Sequence, residues 1–527
     1  MTTAKSRRRR RSTPAPTPRP PAGAGARVVF VGAGPGDPRL LTVEGASLLE
    51  RADVLAVGPG AGDQARALVP ESTRVVEVAA AADLVDAIDS LQDTPGGLVV
   101  RLLSGDGSAL SDEATTVARL GRSFEVVPGV SPTTAVPLYA GMPVPEHLRS
   151  TSPVLAGVGP ELLTQLDALL ADGLDPSTPV AITEHGTTTR QRTQVGTLGD
   201  APGMLDDLLG DPAVGADAGA LPLVAVVGPA VEQRLELSWF ETLPLFGWDV
   251  LVPRTKDQSG TAIAALEGYG ATAHVVPTIA VEPPRMPQLV DKAVQGMVSG
   301  RYEWVGFTSA NAVRAIREKF ESYGLDARSF SGLKIAAVGG ATARALQEWG
   351  LAADLVPSGE QSAAGLLEEW PPFDDLLDPI NRVLLPRADI ATEPLVIGLT
   401  ELGWEVDDVT AYRTVRAAPP PAPVREAIKS GDFDAVVFTS SSTVRNLVGI
   451  AGKPHKVTVV ACIGQATART AEEHGLTVHV IAQESSAQSL VDGLAEYGYG
   501  LALEAYERGE QVRRPSQRRR RRRETTA

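Results

Sequence analysis

The sequence lacks what several large classes of protein require. One cysteine, Cys462, in 527 residues excludes a disulfide-stapled fold and suits a reducing compartment, with that side chain read as a buried small hydrophobe. No apolar run approaches the roughly 18 to 20 residues of a membrane span, and the stretch Leu221 to Val231 falls well short. The N-terminus has a basic start but no apolar segment behind it, because Pro and Thr follow at once, so a secretory signal is not expected. Its six histidines (His147, His185, His274, His455, His474 and His479) show no ligand spacing with Cys or acids, so no metal is expected. There is no phosphate-cradling Walker pattern and no activated serine elbow. These absences leave a multi-domain cytoplasmic protein of about three or four compact units as the expectation.

Charge is present in quantity but unevenly. The chain carries 49 basic and 64 acidic residues, net −15. Residues 1–26 hold seven basic groups and no acid, and residues 511–527 hold eight Arg against Glu524. Each tail is therefore +7, while the remaining body, with 34 basic and 63 acidic residues, is −29. Such tails attract nucleic acid, anionic lipid or the acidic body itself. Thr13 to Pro21 alternates Pro with small residues and cannot bury anything, so a solvated, disordered tail is expected over 1–26, with another over 508–527. No aromatic is interleaved in Arg518 to Arg523, so no specific nucleic-acid partner is expected, only nonspecific, salt-sensitive binding, and with no spanning apolar run no membrane partner is expected.

Between the tails, short β-branched runs alternate with Ala/Leu/Glu-rich helical stretches, and Gly, Pro, Ser or Thr marks each junction. That alternation predicts an α/β fold with mainly parallel sheets. Strands are predicted at Val28 to Val31, Val54 to Val57, Val99 to Leu102, Val180 to Ile182 and Val224 to Val227. In the second half they are predicted at Asp249 to Val252, Trp304 to Phe307, Ile335 to Val338, Val383 to Leu385, Ala435 to Phe438 and Val457 to Cys462.

An internal repeat runs through the second half. Phe307-Thr308-Ser309-Ala310-Asn311-Ala312-Val313-Arg314 recurs as Phe438-Thr439-Ser440-Ser441-Ser442-Thr443-Val444-Arg445. Val338-Gly339-Gly340-Ala341-Thr342-Ala343-Arg344 recurs as Ile463-Gly464-Gln465-Ala466-Thr467-Ala468-Arg469, and Pro253-Arg254-Thr255 as Pro386-Arg387-Ala388. The offsets of 131, 125 and 133 residues predict two similar lobes. In each lobe a strand ends in Thr-Ser or Gly and a helix begins at once, which places hydroxyls and free backbone N–H groups at the carboxyl edge of a sheet. Any one of these residues reads as an ordinary helix cap. Matched sets in both lobes point instead to a cleft for carboxylates or phosphates.

Phe307-Thr308-Ser309, Leu384-Leu385-Pro386-Arg387-Ala388-Asp389, Val409-Thr410-Ala411-Tyr412-Arg413-Thr414 and Phe438-Thr439-Ser440 resemble uroporphyrinogen-III synthase over about residues 247–495. The resemblance implies two flavodoxin-like lobes joined by a two-stranded linker, one at 247–277 plus 416–495 and the other at 283–410. It implies a cofactor-free reaction in which hydroxymethylbilane loses water and closes to uroporphyrinogen III with inversion of its last ring. Tyr412 matches the family's cleft tyrosine and is the candidate proton donor to the departing hydroxyl; a phenol, with an ordinary pKa of about 10, makes a moderate contribution. Thr308, Ser309, Thr439, Ser440 and Thr467 are the candidates for substrate carboxylates, with Arg254 and Arg387 assisting.

The first half resembles the tetrapyrrole methylases, and within them uroporphyrinogen-III C-methyltransferase, over about residues 27–245. The matching residues are Val31-Gly32-Ala33-Gly34-Pro35-Gly36-Asp37-Pro38, Val126-Val127-Pro128-Gly129-Val130-Ser131, Tyr139-Ala140-Gly141-Met142-Pro143 and Glu184-His185-Gly186-Thr187-Thr188. Read alone, the glycine-rich turn would suggest a dinucleotide fingerprint, but Pro35 and Asp37-Pro38 spoil the helix entry that fingerprint needs. The resemblance implies a two-lobed α/β unit that holds S-adenosylmethionine at Pro35, Ser104, Gly105, Asp106, Ser131 and Gly186. Against the family's pattern, the Gly-Gly-Asp-Pro turn has become Ser104-Gly105-Asp106-Gly107, and Ser108 to Glu113 holds no Arg. The strand-end proton acceptor falls at Val57-Gly58, and Pro143 to Pro179 is shortened. These departures imply a degenerate methyltransferase beside a working synthase, with neighbouring tetrapyrrole-pathway enzymes as partners. Two other readings stay open: a bifunctional enzyme proceeding to precorrin-2, and a non-enzymatic bilobed module that closes on an anion.

Overall fold

Four sheets organise the computed structural model, which describes residues 26–58, 66–91, 94, 96–209, 222–253, 260–389 and 394–519. The N-terminal tail predicted over 1–26 falls, apart from Ala26, outside the described residues. The chain divides into two compact units, Met1–Trp248 with Gly268–Thr272, and Asp249–Glu267 with Ala273–Ala527. Among the described residues no helix is long and apolar enough to cross a membrane.

The first unit holds two sheets. Strands β1 (Arg27–Gly32), β2 (Val54–Val57), β3 (Arg74–Glu77), β4 (Leu98–Leu103) and β5 (Phe124–Val127) form a wholly parallel sheet in the order β3-β2-β4-β1-β5. Its central strands are buried on both faces, as the unbroken apolar run Val54-Leu55-Ala56-Val57 requires. Strands β6 (Val154–Gly157), β7 (Pro179–Glu184), β8 (Arg192–Thr197) and β9 (Leu223–Val227) form an antiparallel sheet in the order β6-β9-β7-β8. Between β6 and β7 there is a single helix, Gly159–Ala171.

The second unit holds the two lobes. Strands β10 (Asp249–Val252), β11 (Thr272–Val275), β17 (Ala435–Phe438), β18 (Val459–Cys462) and β19 (Val480–Ile481) form one parallel sheet, ordered β11-β10-β17-β18-β19. This is the flavodoxin-like order, with its switch of direction between β10 and β17. Strands β12 (Ile279–Glu282), β13 (Trp304–Phe307), β14 (Lys334–Ala337), β15 (Arg382–Ala388) and β16 (Glu405–Arg416) form the other sheet, ordered β12-β16-β15-β13-β14. Its parallel part reverses direction between β13 and β15. The 12-residue β16 does two jobs: it runs parallel to β15, and then antiparallel to β12 as half of a two-stranded ribbon.

The repeat explains the lobes. In each, a fully buried strand (Trp304–Phe307, Ala435–Phe438) runs into Thr-Ser, and the serine caps the next helix. Ser309 accepts from the Ala312 N–H to start Ala310–Ser322, and Ser440 accepts from the Thr443 N–H to start Ser441–Ala451. The first helix buries Ala312, Val313, Ile316 and Phe320, a spacing of one helical face packed on the sheet.

Three stretches differ from expectation. Val338 and Val457 lie outside β14 and β18, whose bounds are shorter than the apolar runs. Residues 508–519, within the stretch expected as a disordered tail, are placed: after the helix Ala487–Glu507 the chain turns back, and the Ser516 N–H donates to Asp434 at 2.8 Å. Residues 520–527 lie outside the described residues.

Candidate functional site

Ligands of open α/β sheets bind outside the carboxyl ends of the strands where the order reverses. In the second lobe those ends belong to β13 and β15, which carry Thr308 and Ser309, and Arg387, respectively. Ser309 Oγ accepts from the Ala312 N–H at 3.2 Å and lies 2.9 Å from Tyr412 Oη. Tyr412 is 7% exposed and packs among Phe307, Val313, Ile316 and Val290 with only its hydroxyl end toward the helix start.

A bulge puts it there. Arg387 pairs with Thr410, but Ala388 pairs with Tyr412, so Ala411 is an extra residue in β16. Strand side chains alternate faces, and without the bulge Ala411 and Tyr412 would point opposite ways; with it, both are buried in the same cluster.

In the first lobe the reversal lies between β10 and β17. Thr439 and Ser440 follow β17, and the Ser440 and Ser442 hydroxyls are 2.9 Å apart. Ser441 Oγ donates to the Ala466 carbonyl at 3.1 Å and ties this helix start to that of Gln465–Glu473, which carries Thr467. Thr467 is 4% exposed, so little of its surface is open at the edge.

The expected arginine helpers fare differently. Arg254 lies outside the described residues. The buried guanidinium of Arg387 donates through Nε to Asp408 of β16 at 2.6 Å and pairs with it a second time through a terminal nitrogen. It lies at the end of β15, and its charge is matched by Asp408 within the lobe. A cavity of about 350 Å³ adjoins Tyr412, lined by Asn311, Arg314, Lys319, Glu282 and Pro283 among others. Asn311 and Arg314 were not singled out in the sequence. Their signal was available, since residues 311, 314, 315, 318, 319 and 322 make one helical stripe, and Arg314 donates to Asn311 Oδ1 at 3.2 Å.

In the first unit the carboxyl ends of β1, β4 and β5 come together. Gly34 and Gly105 form a two-way backbone bridge, with N–H to carbonyl distances of 2.9 and 3.1 Å. The Gly129 N–H donates to the Asp106 carbonyl at 3.1 Å. A Cβ on Gly32 would lie 2.4 Å from the Gly129 nitrogen, so glycine is required at this crossing. The Asp106 carboxyl is held below the usual carboxylate range chiefly by the Ser108 hydroxyl and N–H, with Ser131 adding to it. Pro35, Ser104, Gly105, Asp106 and Ser131 are therefore gathered at one edge.

Gly186 joins by another route. Its neighbours His185 and Thr187 adopt left-handed backbone (φ 48° and 65°), a strain that non-glycine residues seldom carry. Thr187 Oγ1 accepts from the Asp37 N–H at 3.0 Å, which ties this turn to the glycine-rich one. The segment after Asp106 holds no Arg, and Glu113 there is engaged by Arg101 of β4 at 2.7 Å. Around Gly58, at the end of β2, a Cβ would meet nothing within 4 Å.

Comparison with known proteins follows this division. The family model described as "Uroporphyrinogen-III synthase HemD" matches residues 261–492, and that described as "Tetrapyrrole (Corrin/Porphyrin) Methylases" matches residues 27–173. The porphyrin biosynthesis protein HemD of Ruminiclostridium josui is 29% identical over 515 residues, covering 90% of this chain and 98% of its own. The uroporphyrinogen-III synthase of Synechococcus elongatus is 29% identical, covering 48% of this chain and 97% of its own. The S-adenosyl-L-methionine-dependent uroporphyrinogen III methyltransferase of Methanosarcina barkeri is 30% identical, covering 34% of this chain and 86% of its own.

Proposed function

Because the chain belongs to the uroporphyrinogen-III synthase family over its C-terminal half and to the tetrapyrrole methylases over its N-terminal half, we propose that it closes hydroxymethylbilane to uroporphyrinogen III. It is an enzyme of tetrapyrrole biosynthesis, and the reaction in this reading is a dehydration with inversion of the last ring. One buried cysteine, Cys462, suits the cytoplasm as its site.

The observation that carries the reading is the hydroxyl pair Ser309–Tyr412 at the strand-order reversal of the second lobe. The departing hydroxyl needs a proton, and Tyr412 is the donor. The substrate carries many carboxylates, and an acidic protein is a poor host for them unless donors are fixed locally. Thr308, Thr439 and Ser440 at helix starts, with the backbone N–H groups beside them, supply those donors. Asn311 and Arg314 extend the same surface along the cavity. Much of the rate comes from holding the linear chain folded so that the substituted ring carbon, rather than the free one, reaches the cation.

In the same reading the N-terminal half no longer transfers methyl groups. Its strand end at Val57-Gly58 bears no proton acceptor, and no Arg stands in Ser108 to Glu113 to hold a carboxylate. A second reading, with both halves active, is favoured by the intact glycine crossing and the strained His185-Gly186-Thr187 turn, because strain of this kind is kept where a ligand uses it. The gathered residues fit S-adenosylmethionine: Asp106, Ser104 and Ser131 suit its amino and hydroxyl groups, and Gly34, Pro35 and Gly105 form the turn beneath. When bound, the cofactor supplies a methyl group on a cationic sulfur.

Both readings are separated by incubating the protein with hydroxymethylbilane, with and without S-adenosylmethionine, and resolving products by isomer and mass. Isomer III with no mass increase is the expected result. Added methyl groups establish the bifunctional enzyme, and isomer I alone overturns the synthase assignment.

A further inference from the structure

Ser309 is placed to do something other than grip substrate. A serine hydroxyl has one proton and two lone pairs. One lone pair is committed to the Ala312 N–H at 3.2 Å, the cap of Ala310–Ser322. The remaining contact is Tyr412 Oη at 2.9 Å, and it is the one hydrogen bond that Tyr412 Oη makes among the described residues. Resting on the synthase reading, we infer that Ser309 is the positioning residue for Tyr412, donating its proton to the phenol oxygen so that the phenol's own proton faces the leaving hydroxyl.

The proton count closes. As the carbon–oxygen bond of the substrate breaks, its electron pair leaves with the hydroxyl, which takes the Tyr412 proton and departs as water. The phenolate left behind accepts the Ser309 O–H, and Ser309 in turn remains polarised by the Ala312 N–H at the positive end of a 13-residue helix. The proton released when the new ring recovers its pyrrole returns to Tyr412. No oxidant or reductant is involved.

The internal repeat supplies the contrast. Ser440 has the same cap in the first lobe, accepting from the Thr443 N–H at 3.3 Å, but its hydroxyl faces Ser442 at 2.9 Å. The cap is thus common to both lobes, while the serine–tyrosine contact belongs to the second, where the Ala411 bulge brings Tyr412 round. A cap alone does not require that bulge.

The test is a double-mutant cycle in the full-length protein, with isomer III formation as the readout. Glycine is tolerated at helix caps, so Ser309→Gly removes the hydroxyl and leaves the helix formed. It should lower kcat about tenfold, as loss of a hydrogen bond to a developing charge does, with KM unchanged. Ser309→Thr should restore kcat. In a Tyr412→Phe background Ser309→Gly should change kcat by less than about twofold, since the group it serves is gone. Ser440→Gly should raise KM instead, and by the same factor in both backgrounds. Equal losses from Ser309→Gly with and without Tyr412, or an effect on KM alone, would overturn the positioning role and return Ser309 to substrate binding. A wild-type protein that yields only isomer I would overturn the synthase reading beneath it, a result distinct from either of these.

Discussion

Replacing Ser516 by proline removes both the N–H and the hydroxyl that it turns toward Asp434 and should measurably destabilise the second unit. The Ser516 N–H donates to Asp434 Oδ1 at 2.8 Å, while Oδ2 of the same carboxylate accepts from the Asp249 N–H at 2.9 Å. Arg514 lies 3.7 Å from Asp434 and 3.8 Å from Asp249. Asp434 is wholly buried at the amino end of β17, and burial raises its pKa above the usual carboxylate value, with the Ser516, Asp249 and Arg514 contacts opposing. A buried carboxylate that loses a donor costs about 1.5 to 3 kcal/mol. For a unit of this size each 1 kcal/mol shifts Tm by about 2 to 4 °C, so the variant should melt roughly 3 to 12 °C lower near neutral pH.

The pH dependence has a definite sign. A folded pKa raised above the unfolded one means that Asp434 favours folding at low pH and works against it as the pH rises through the folded value. The Ser516 N–H and hydroxyl offset that cost most when Asp434 is ionised, because donors bind a carboxylate more strongly than a neutral carboxyl. The gap between wild type and Ser516→Pro should therefore be widest at neutral pH and narrow as the pH falls into the carboxylate range. Thermal melts at the two extremes, with a chain ending at Gly509 alongside, make the comparison. Coincident melts of all three proteins at neutral pH would refute the reasoning, and a gap that widens on acidification would refute its electrostatic basis.

Three further outcomes follow from single residues. Arg387→Ala strands Asp408 in a half-exposed position and should cost about 1 to 3 kcal/mol in urea unfolding while leaving KM within about twofold; a large KM rise at unchanged stability would mean that the guanidinium serves substrate instead. Gly431 ends the helix Ala422–Ser430 at φ 84°, with His455 Nδ1 2.8 Å from where a Cβ would sit, so Gly431→Ala should lower stability by about 1 to 2 kcal/mol, and an unchanged unfolding midpoint would count against it. Burial pushes the Cys462 thiol up to about 12, so it should resist a disulfide reagent at pH 8 until denaturant is added; prompt native-state labelling would contradict this placement.

Much of the site was legible because it is local. A strand that ends in Thr-Ser before an Ala-rich run announces its own cap, and both Ser309 and Ser440 do cap the helices that follow them. The matching offsets announced two lobes for the same reason, since each copy carries its own strand, turn and helix start. Thr467 and Arg387 show the limit of this reasoning. The sequence placed them at a helix start and a strand end, but how far Thr467 is covered and whether Asp408 matches the Arg387 charge depend on neighbours distant in sequence.

What the sequence by itself determined was therefore the alternating α/β plan, the doubled lobe and the hydroxyl-bearing helix starts. These follow from period, propensity and capping, interactions that span a few residues. The tertiary structure alone decided how those pieces meet. Ala411 becomes an extra residue only once β16 has β15 to pair with, and that register shift turns Tyr412 toward Ser309, 103 residues away. Likewise, residues 508–519 include a donor, the Ser516 N–H, that meets Asp434 only once folding has buried that carboxylate. A bulge and a buried charge both exist only relative to a partner, and partners are brought together by folding.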